Sequence, residues 1–158
     1  MSTAIVYASK HGTTAEIARR VATQAGGHAT MFDLADGSPD LSAFSTVALG
    51  TAIYMGQPRS TMKAFCGTAK LSDKRLGLFV CGMEPDPSKQ TEELVNAFPA
   101  DLRKQAMTHA FLPGRFLHSA MNMAERFITK RVAKTNQDVD AIDDDAITRF
   151  AMSLASIE

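Results

Sequence analysis

No stretch of this chain approaches the roughly 18 consecutive apolar residues that a membrane-crossing helix needs. Its amino end also lacks the basic region, apolar block and small-residue cleavage site of a secretory signal. Both absences lead to the expectation of a cytoplasmic protein, at most peripheral to the inner face of a membrane. Charge of one sign is missing too, since 17 Lys and Arg balance 17 Asp and Glu. A chain without net charge has no global pull toward nucleic acid. Cysteine is scarce: Cys66 and Cys81 stand fifteen residues apart, with no C-x-x-C and no His or Cys at a spacing that completes a metal site. Both thiols are expected to be buried and free in a reducing compartment.

Several phosphate and catalytic motifs are absent as well. There is no G-x-G-x-x-G dinucleotide turn, no G-x-x-x-x-G-K-[ST] loop and no G-x-S-x-G elbow. The first and third apolar runs end at Ala8-Ser9 and Gly50-Thr51, without the acids that a receiver domain uses to hold Mg²⁺. His28, His109 and His118 are isolated in the sequence, and no Ser/His/Asp or Cys/His set is visible.

What is present is organised around the first stretch. An apolar run from Thr3 to Ala8 stops at Ser9-Lys10-His11-Gly12-Thr13-Thr14, and a helical pattern follows at once. Hydroxyls and successive backbone amides at the positive end of a helix can hold a phosphate without a dedicated basic side chain. Helical spacing of Ile17, Ala18, Val21, Ala22 and Ala25 predicts a helix over 15–25, stopped by Gly26 and Gly27. Strands are expected at 28–34, 46–50, 74–81 and 107–112, with helices at 59–68, 88–97 (capped by Ser88) and 143–157. The last helix carries three acids at its positive end and Ile147, Phe150, Ala151 and Leu154 on its apolar side. Residues 41–44 suit a turn of helix.

Five strands alternating with helices predict one α/β domain over 1–158 with a parallel sheet and helices on both faces. Ligands of such sheets sit at the carboxyl ends of the strands, near the reversal of strand order. Three loops follow strands there: 9–14, 51–58 and 82–87.

Ser9-x-His11-Gly12-Thr13-Thr14 after a strand resembles the T/S-x-T-G-x-T phosphate loop of the flavodoxin family, and the order of elements agrees along nearly the whole chain. The resemblance implies a doubly wound sheet of order 2-1-3-4-5 and flavin mononucleotide (FMN) as cofactor. It places the phosphate on Ser9, Lys10, His11, Gly12, Thr13 and Thr14, with His11 replacing a hydroxyl residue of the family pattern. It places the flavin ring against Thr51, Ala52, Ile53, Tyr54, Met55 and Gly56 on one side and Cys81, Gly82, Met83 and Glu84 on the other. Tyr54 is the best stacking residue, because the chain has no tryptophan. Catalytic power, where there is any, would be borne by the flavin rather than by a side chain.

Within that family the chain is most similar to the menaquinone-dependent protoporphyrinogen dehydrogenase type, in Gly50-Thr-Ala-Ile53-Tyr-Met-Gly56 and in an added segment, 113–134, between the fifth strand and the last helix. Leu117, Ala120, Met121, Ala124, Phe127, Ile128 and Val132 of this segment fall on one side of a helix. Arg115, Arg126, Lys130, Arg131 and Lys134 face a single acid, Glu125. Basic residues beside a Met- and Phe-containing face suit a membrane surface or a lipophilic, carboxylate-bearing ligand. The resemblance therefore implies oxidation of a tetrapyrrole precursor with a quinone as acceptor, Arg115, Arg126, Lys130 and Arg131 meeting substrate or membrane. The other implied function is a flavodoxin-type carrier of electrons between partner proteins, which the balanced charge and missing tryptophan disfavour.

Overall fold

A strand that is buried on both faces reads as a continuous apolar run, and the runs at 3–8, 46–50 and 76–81 form strands of that kind. The computed structural model describes residues 2–10, 12–25, 29–116 and 139–155. In chain order its elements are β1 (Thr3–Ala8), α1 (Thr13–Gln24), β2 (Ala29–Asp33), a 3₁₀ turn (Leu34–Asp36), β3 (Thr46–Tyr54), β4 (Gln57–Pro58), α2 (Ser60–Thr68) and β5 (Arg75–Gly82). They continue with α3 (Pro87–Ala97), α4 (Ala100–Gln105), β6 (Thr108–Pro113), β7 (Arg115–Phe116), β8 (Val139–Asp140) and α5 (Asp144–Ala155).

The main sheet runs β2-β1-β3-β5-β6, all parallel, with β4 added antiparallel to the tail of β3. Counting the five principal strands along the chain, this is the expected order 2-1-3-4-5. From β1 the chain steps outward to β2 and then returns across β1 to β3, so the order reverses between β1 and β3. Register sets the strand ends level there: Ala8 pairs with Thr51, Ala52 with Cys81 and Gly82 with Pro113. All three expected loops thus open at one edge.

Two apolar layers hold the helices. Ile5, Ala48, Phe79, Cys81 and Leu112 meet Ile17, Ala18 and Val21 of α1 and Ile147, Phe150, Ala151 and Leu154 of α5. On the opposite face Val6, Leu49, Leu78 and Val80 meet Met62 and Phe65 of α2, Ala97 and Phe98 at the end of α3, and Leu102 of α4. Burial of each large side chain contributes about 1.5–3 kcal/mol. Arg20 bridges the two helices of the first layer, its Nη1 2.8 Å from Asp144 Oδ1 on α5 and its Nε 2.9 Å from Glu16 Oε2.

Four details depart from the sequence expectations. The third strand does not stop at Gly50 but runs to Tyr54, because β5 keeps pairing through Ala52 and the short β4 takes Ile53 and Tyr54 into a hairpin. Residues 51–54 are therefore strand, and only the turn at Met55 and Gly56 is loop. Ser88 is not the cap of α3; Asp86 is, its Oδ1 accepting from the Ser88 amide and hydroxyl at 3.0 Å, with Pro87 as the first helical residue. Helix α4 was not expected, because Pro99 reads as an interruption although it stands as the cap of a new helix. Finally, α2 starts at Ser60, with Arg59 as its cap rather than its first residue.

The Asp86 cap has a pH signature. Its bonds to the Ser88 amide and then to the Ser88 hydroxyl hold the carboxyl below its ordinary range. A depressed folded pKa contributes stability above the ordinary carboxylate range, and this is lost as pH falls through the depressed value. Asp86→Ala is expected to lower the thermal midpoint at neutral pH, with the difference closing in strong acid. Melting curves of both proteins across acid pH check this.

Candidate functional site

The phosphate-type loop is built where β1 hands over to α1. Gly12 caps α1 with φ +87°, a left-handed conformation in which any Cβ is strained, and no side chain caps this helix. The start of the helix is thus shaped by backbone rather than by a Ser, Asp or Asn cap of its own. Ser9 Oγ accepts from the Gly12 amide at 3.0 Å and shapes the turn. Glu16, the acid of the first turn, is held by Arg19 and Arg20, so its charge is turned away from the loop and neutralised. Thr13 is half-buried, whereas Thr14 is 1 % exposed and its hydroxyl favours the charged form of the Cys81 thiol. His11 lies outside the described residues.

The second expected segment stands beside the first. Lys10 Nζ lies over the Tyr54 ring, 4.5 Å from its centroid, so the first loop touches the hairpin directly. Met55 takes φ +53° and Gly56 φ +77° at the hairpin tip. A methionine in the left-handed region costs roughly 1–2 kcal/mol, and this one is also 56 % exposed. Thr51 is fully buried; its hydroxyl donates to the Ala52 carbonyl at 3.2 Å and accepts from the Arg59 amide at 3.1 Å, locking the hairpin onto the start of α2. Ala52, Ile53 and Tyr54 are half-buried.

In the third segment Cys81 and Gly82 are buried while Met83 and Glu84 are half-buried. Gln90 Nε2 donates to the Glu84 carbonyl at 2.7 Å, which fixes the loop against α3. Neither thiol is poised to react: burial pushes Cys81 up to about 12 against the smaller opposing effect of Thr14, and burial and then Asp101 push Cys66 up to about 11. Among the described residues no group of His, Cys, Asp and Glu could hold a metal ion, and no helix is long and apolar enough to cross a membrane.

Gly114 closes the arrangement. Its amide donates to the Gly82 carbonyl at 2.9 Å, its carbonyl accepts from Ala141 at 3.0 Å, and a Cβ on it would come within 3.3 Å of Thr13 Cγ2. The ribbon that pairs Arg115 with Asp140 and Phe116 with Val139 starts from this point. The chain therefore leaves toward the added segment at Gly114, beside Thr13 and Gly82, and Ala141 returns to the same point. Arg126, Lys130, Arg131 and the expected helical pattern over 117–132 lie outside the described residues. Sequence reasoning missed Gly114 and the Lys10–Tyr54 contact; only the Pro113-Gly114 pair marked the first, and nothing marked the second. A groove of about 460 Å³ at the amino-terminal edge of the sheet is no competitor. Its Lys74 ammonium donates to the Leu41 carbonyl and its Asp40 carboxylate accepts from the Ser42 amide, so both charges are engaged in holding the loop before β3.

A hydroxyl- and amide-lined loop at a helix's positive end, beside an aromatic hairpin and a glycine-led turn, suits a ligand with a phosphate at one end and a flat ring at the other. The comparisons agree in fold. A short-chain flavodoxin associated with a bacterial microcompartment superposes with a TM-score of 0.63 at 16% identity, covering 99% of both chains. The flavodoxin of Streptococcus pneumoniae TIGR4 gives 0.61 at 16% identity over 98% of both chains. The flavodoxin-like WrbA-like protein of Agrobacterium tumefaciens gives 0.51 at 22% identity, over 96% of this chain and 95% of that one. No curated protein matches the chain. The sequence model of the flavodoxin domain matches residues 4–143, and the chain belongs to the flavodoxin-domain family.

Proposed function

We propose that this chain binds FMN and works as a flavodoxin-type carrier, passing electrons between redox partners. The observation that carries the reading is the convergence of an uncapped, glycine-led helix start with Tyr54 and the Gly82 turn at the strand-order reversal. Bound FMN supplies one- and two-electron chemistry; the remaining roles belong to the chain. Ser9 through its hydroxyl, Thr13 and the Thr14 amide hold the phosphate through neutral donors and the helix dipole, and Gly12 lets the backbone turn around it. Lys10 adds a positive charge over Tyr54, and Tyr54, Met55 and Met83 offer polarisable surface to the ring faces. Ala52 and Gly82 keep the backbone close, and Cys81 with Thr14 forms the dry floor that excludes water from beneath.

A second reading keeps the cofactor and adds a substrate: oxidation of a protoporphyrinogen-like tetrapyrrole with a quinone as acceptor, at the inner face of a membrane. It is supported by the ribbon that brings the ends of the added segment to Thr13 and Gly82, with Arg115 in it and Arg126, Lys130 and Arg131 beyond it as contacts for carboxylates or lipid headgroups. The two readings separate in one assay. FMN-loaded protein that is reduced by a flavodoxin reductase and reoxidised by a haem protein, with no porphyrin fluorescence from protoporphyrinogen and menadione, supports the carrier. Porphyrin formation that requires both protein and quinone supports the dehydrogenase and removes the carrier as the main role.

A further inference from the structure

Glu93 stands in the middle of α3; the residue is half-buried, and its Oε1 is buried without a hydrogen-bond partner among the described residues. That oxygen lies 3.5 Å from the point where a Cβ on Gly82 would stand, a point itself 3.5 Å from Ile53 Cβ and 3.4 Å from Phe111 Cζ. A buried carboxyl oxygen thus lies beside Gly82, near the ends of β3 and β5, the two strands that carry the proposed ring-binding segments. Buried acceptors are nearly always paired, and one that is not calls for a role.

Its electrical surroundings are one-sided. On α3, Lys89 and Glu92 flank it and are both exposed; β4 has only Gln57 and Pro58, with Arg59 after them. From β6 the nearest titratable group is His109, whose ring is hydrogen-bonded to the Arg103 carbonyl, and from the third loop it is Glu84. Of these it is Glu84 that acts on Glu93, and burial first and this like charge second raise its carboxyl above the ordinary range.

We propose that Glu93 is a proton-linked binding residue of the cofactor site: when anionic FMN settles on the adjacent loops, a proton from water moves onto the Glu93 carboxyl. No electron is transferred and no covalent bond to the ligand forms; at most one proton is taken up for each FMN bound. The inference rests on the FMN reading above. By reciprocity, FMN binds more tightly where Glu93 is already protonated, so affinity falls as pH rises.

The test compares FMN dissociation constants, read by quenching of FMN fluorescence, for wild type and Glu93→Gln between about pH 5 and pH 8. The phosphate of FMN titrates equally in both, so the difference between them isolates Glu93. Wild-type affinity is expected to fall about fivefold more than that of the variant, the low end of ordinary coupling between sites. In wild type, the ¹³C signal of the Glu93 carboxyl is expected to titrate at higher pH with FMN than without, and at lower pH in Glu84→Gln than in wild type. Without ligand, Glu93→Gln is expected to be the more stable protein at neutral pH and to lose that advantage in acid, because a raised folded pKa contributes stability only below it. Parallel pH profiles, or a carboxyl that titrates identically with and without FMN, would overturn the proton linkage and leave the FMN reading standing. Failure of wild type to take up FMN at any pH would overturn both.

Discussion

Gly12→Asp should weaken FMN binding about a hundredfold at a modest loss of stability, roughly 1–2 kcal/mol for a side chain held at positive φ. Aspartate is among the residues that best tolerate the left-handed conformation held by Gly12, so the fold should survive the change. There is room for it, since nothing lies within 4 Å of a Cβ at this position. The new carboxylate would satisfy amides of the first turn that the phosphate needs, and would repel the phosphate from a few ångströms away. Repulsion of that kind is worth about 3 kcal/mol at a partly solvated protein surface, and 1.4 kcal/mol is a tenfold change in the dissociation constant. An unchanged circular dichroism spectrum, with melting lowered by no more than that strain, and lost FMN uptake would locate the phosphate at this loop. Full retention of FMN would remove it from there.

Gly50→Val should be the most damaging single change beneath the site, destabilising the protein by about 3 kcal/mol, the upper end for overpacking a core. Gly50 is fully enclosed by β1, β3 and β5, and a Cβ on it would fall 2.0 Å from Phe79 Cζ. The Phe79 ring cannot retreat: it is itself fully buried and packs edge-on against Phe150 of α5, ring centroids 5.3 Å apart. Since Gly50 immediately precedes Thr51, the displacement would reach the segment proposed to hold the ring, so weaker FMN binding should accompany the lost stability. The pair Gly50→Ala with Phe79→Leu offers a check. If the clash is the cause, the double variant should be more stable than the sum of the single losses allows. Additive losses would contradict it.

Much of this was legible in the residues. The apolar run 3–8, the small hydroxyl-rich stretch after it and the spacing from Ile17 to Val21 identify β1, the loop that ends it and α1, because each pattern has one local solution. The strand-end positions of the other two segments followed from the alternation of strands and helices. The third strand was read too short because Thr51-Ala52-Ile53-Tyr54 combines loop-like small residues with strand formers, and only pairing with β4 and β5 decides between them. Cap identity at α3 failed for a related reason: Asp86, Pro87 and Ser88 can each start a helix, and the choice depends on where the chain leaves β5. Contacts between distant residues, such as Lys10 over Tyr54 or Glu93 under Gly82, leave no periodic trace and become visible only once the sheet is assembled.

The account stands or falls on the cradle at residues 9–14 holding FMN, and one titration tests that most directly. Purified protein freed of any bound flavin is added to FMN while flavin fluorescence and the visible absorption spectrum are followed. Stoichiometric quenching at one FMN per chain, a perturbed flavin spectrum, and loss of both in Gly12→Asp are the predicted results. A protein that leaves FMN fluorescence and absorption unchanged at every concentration would contradict the account.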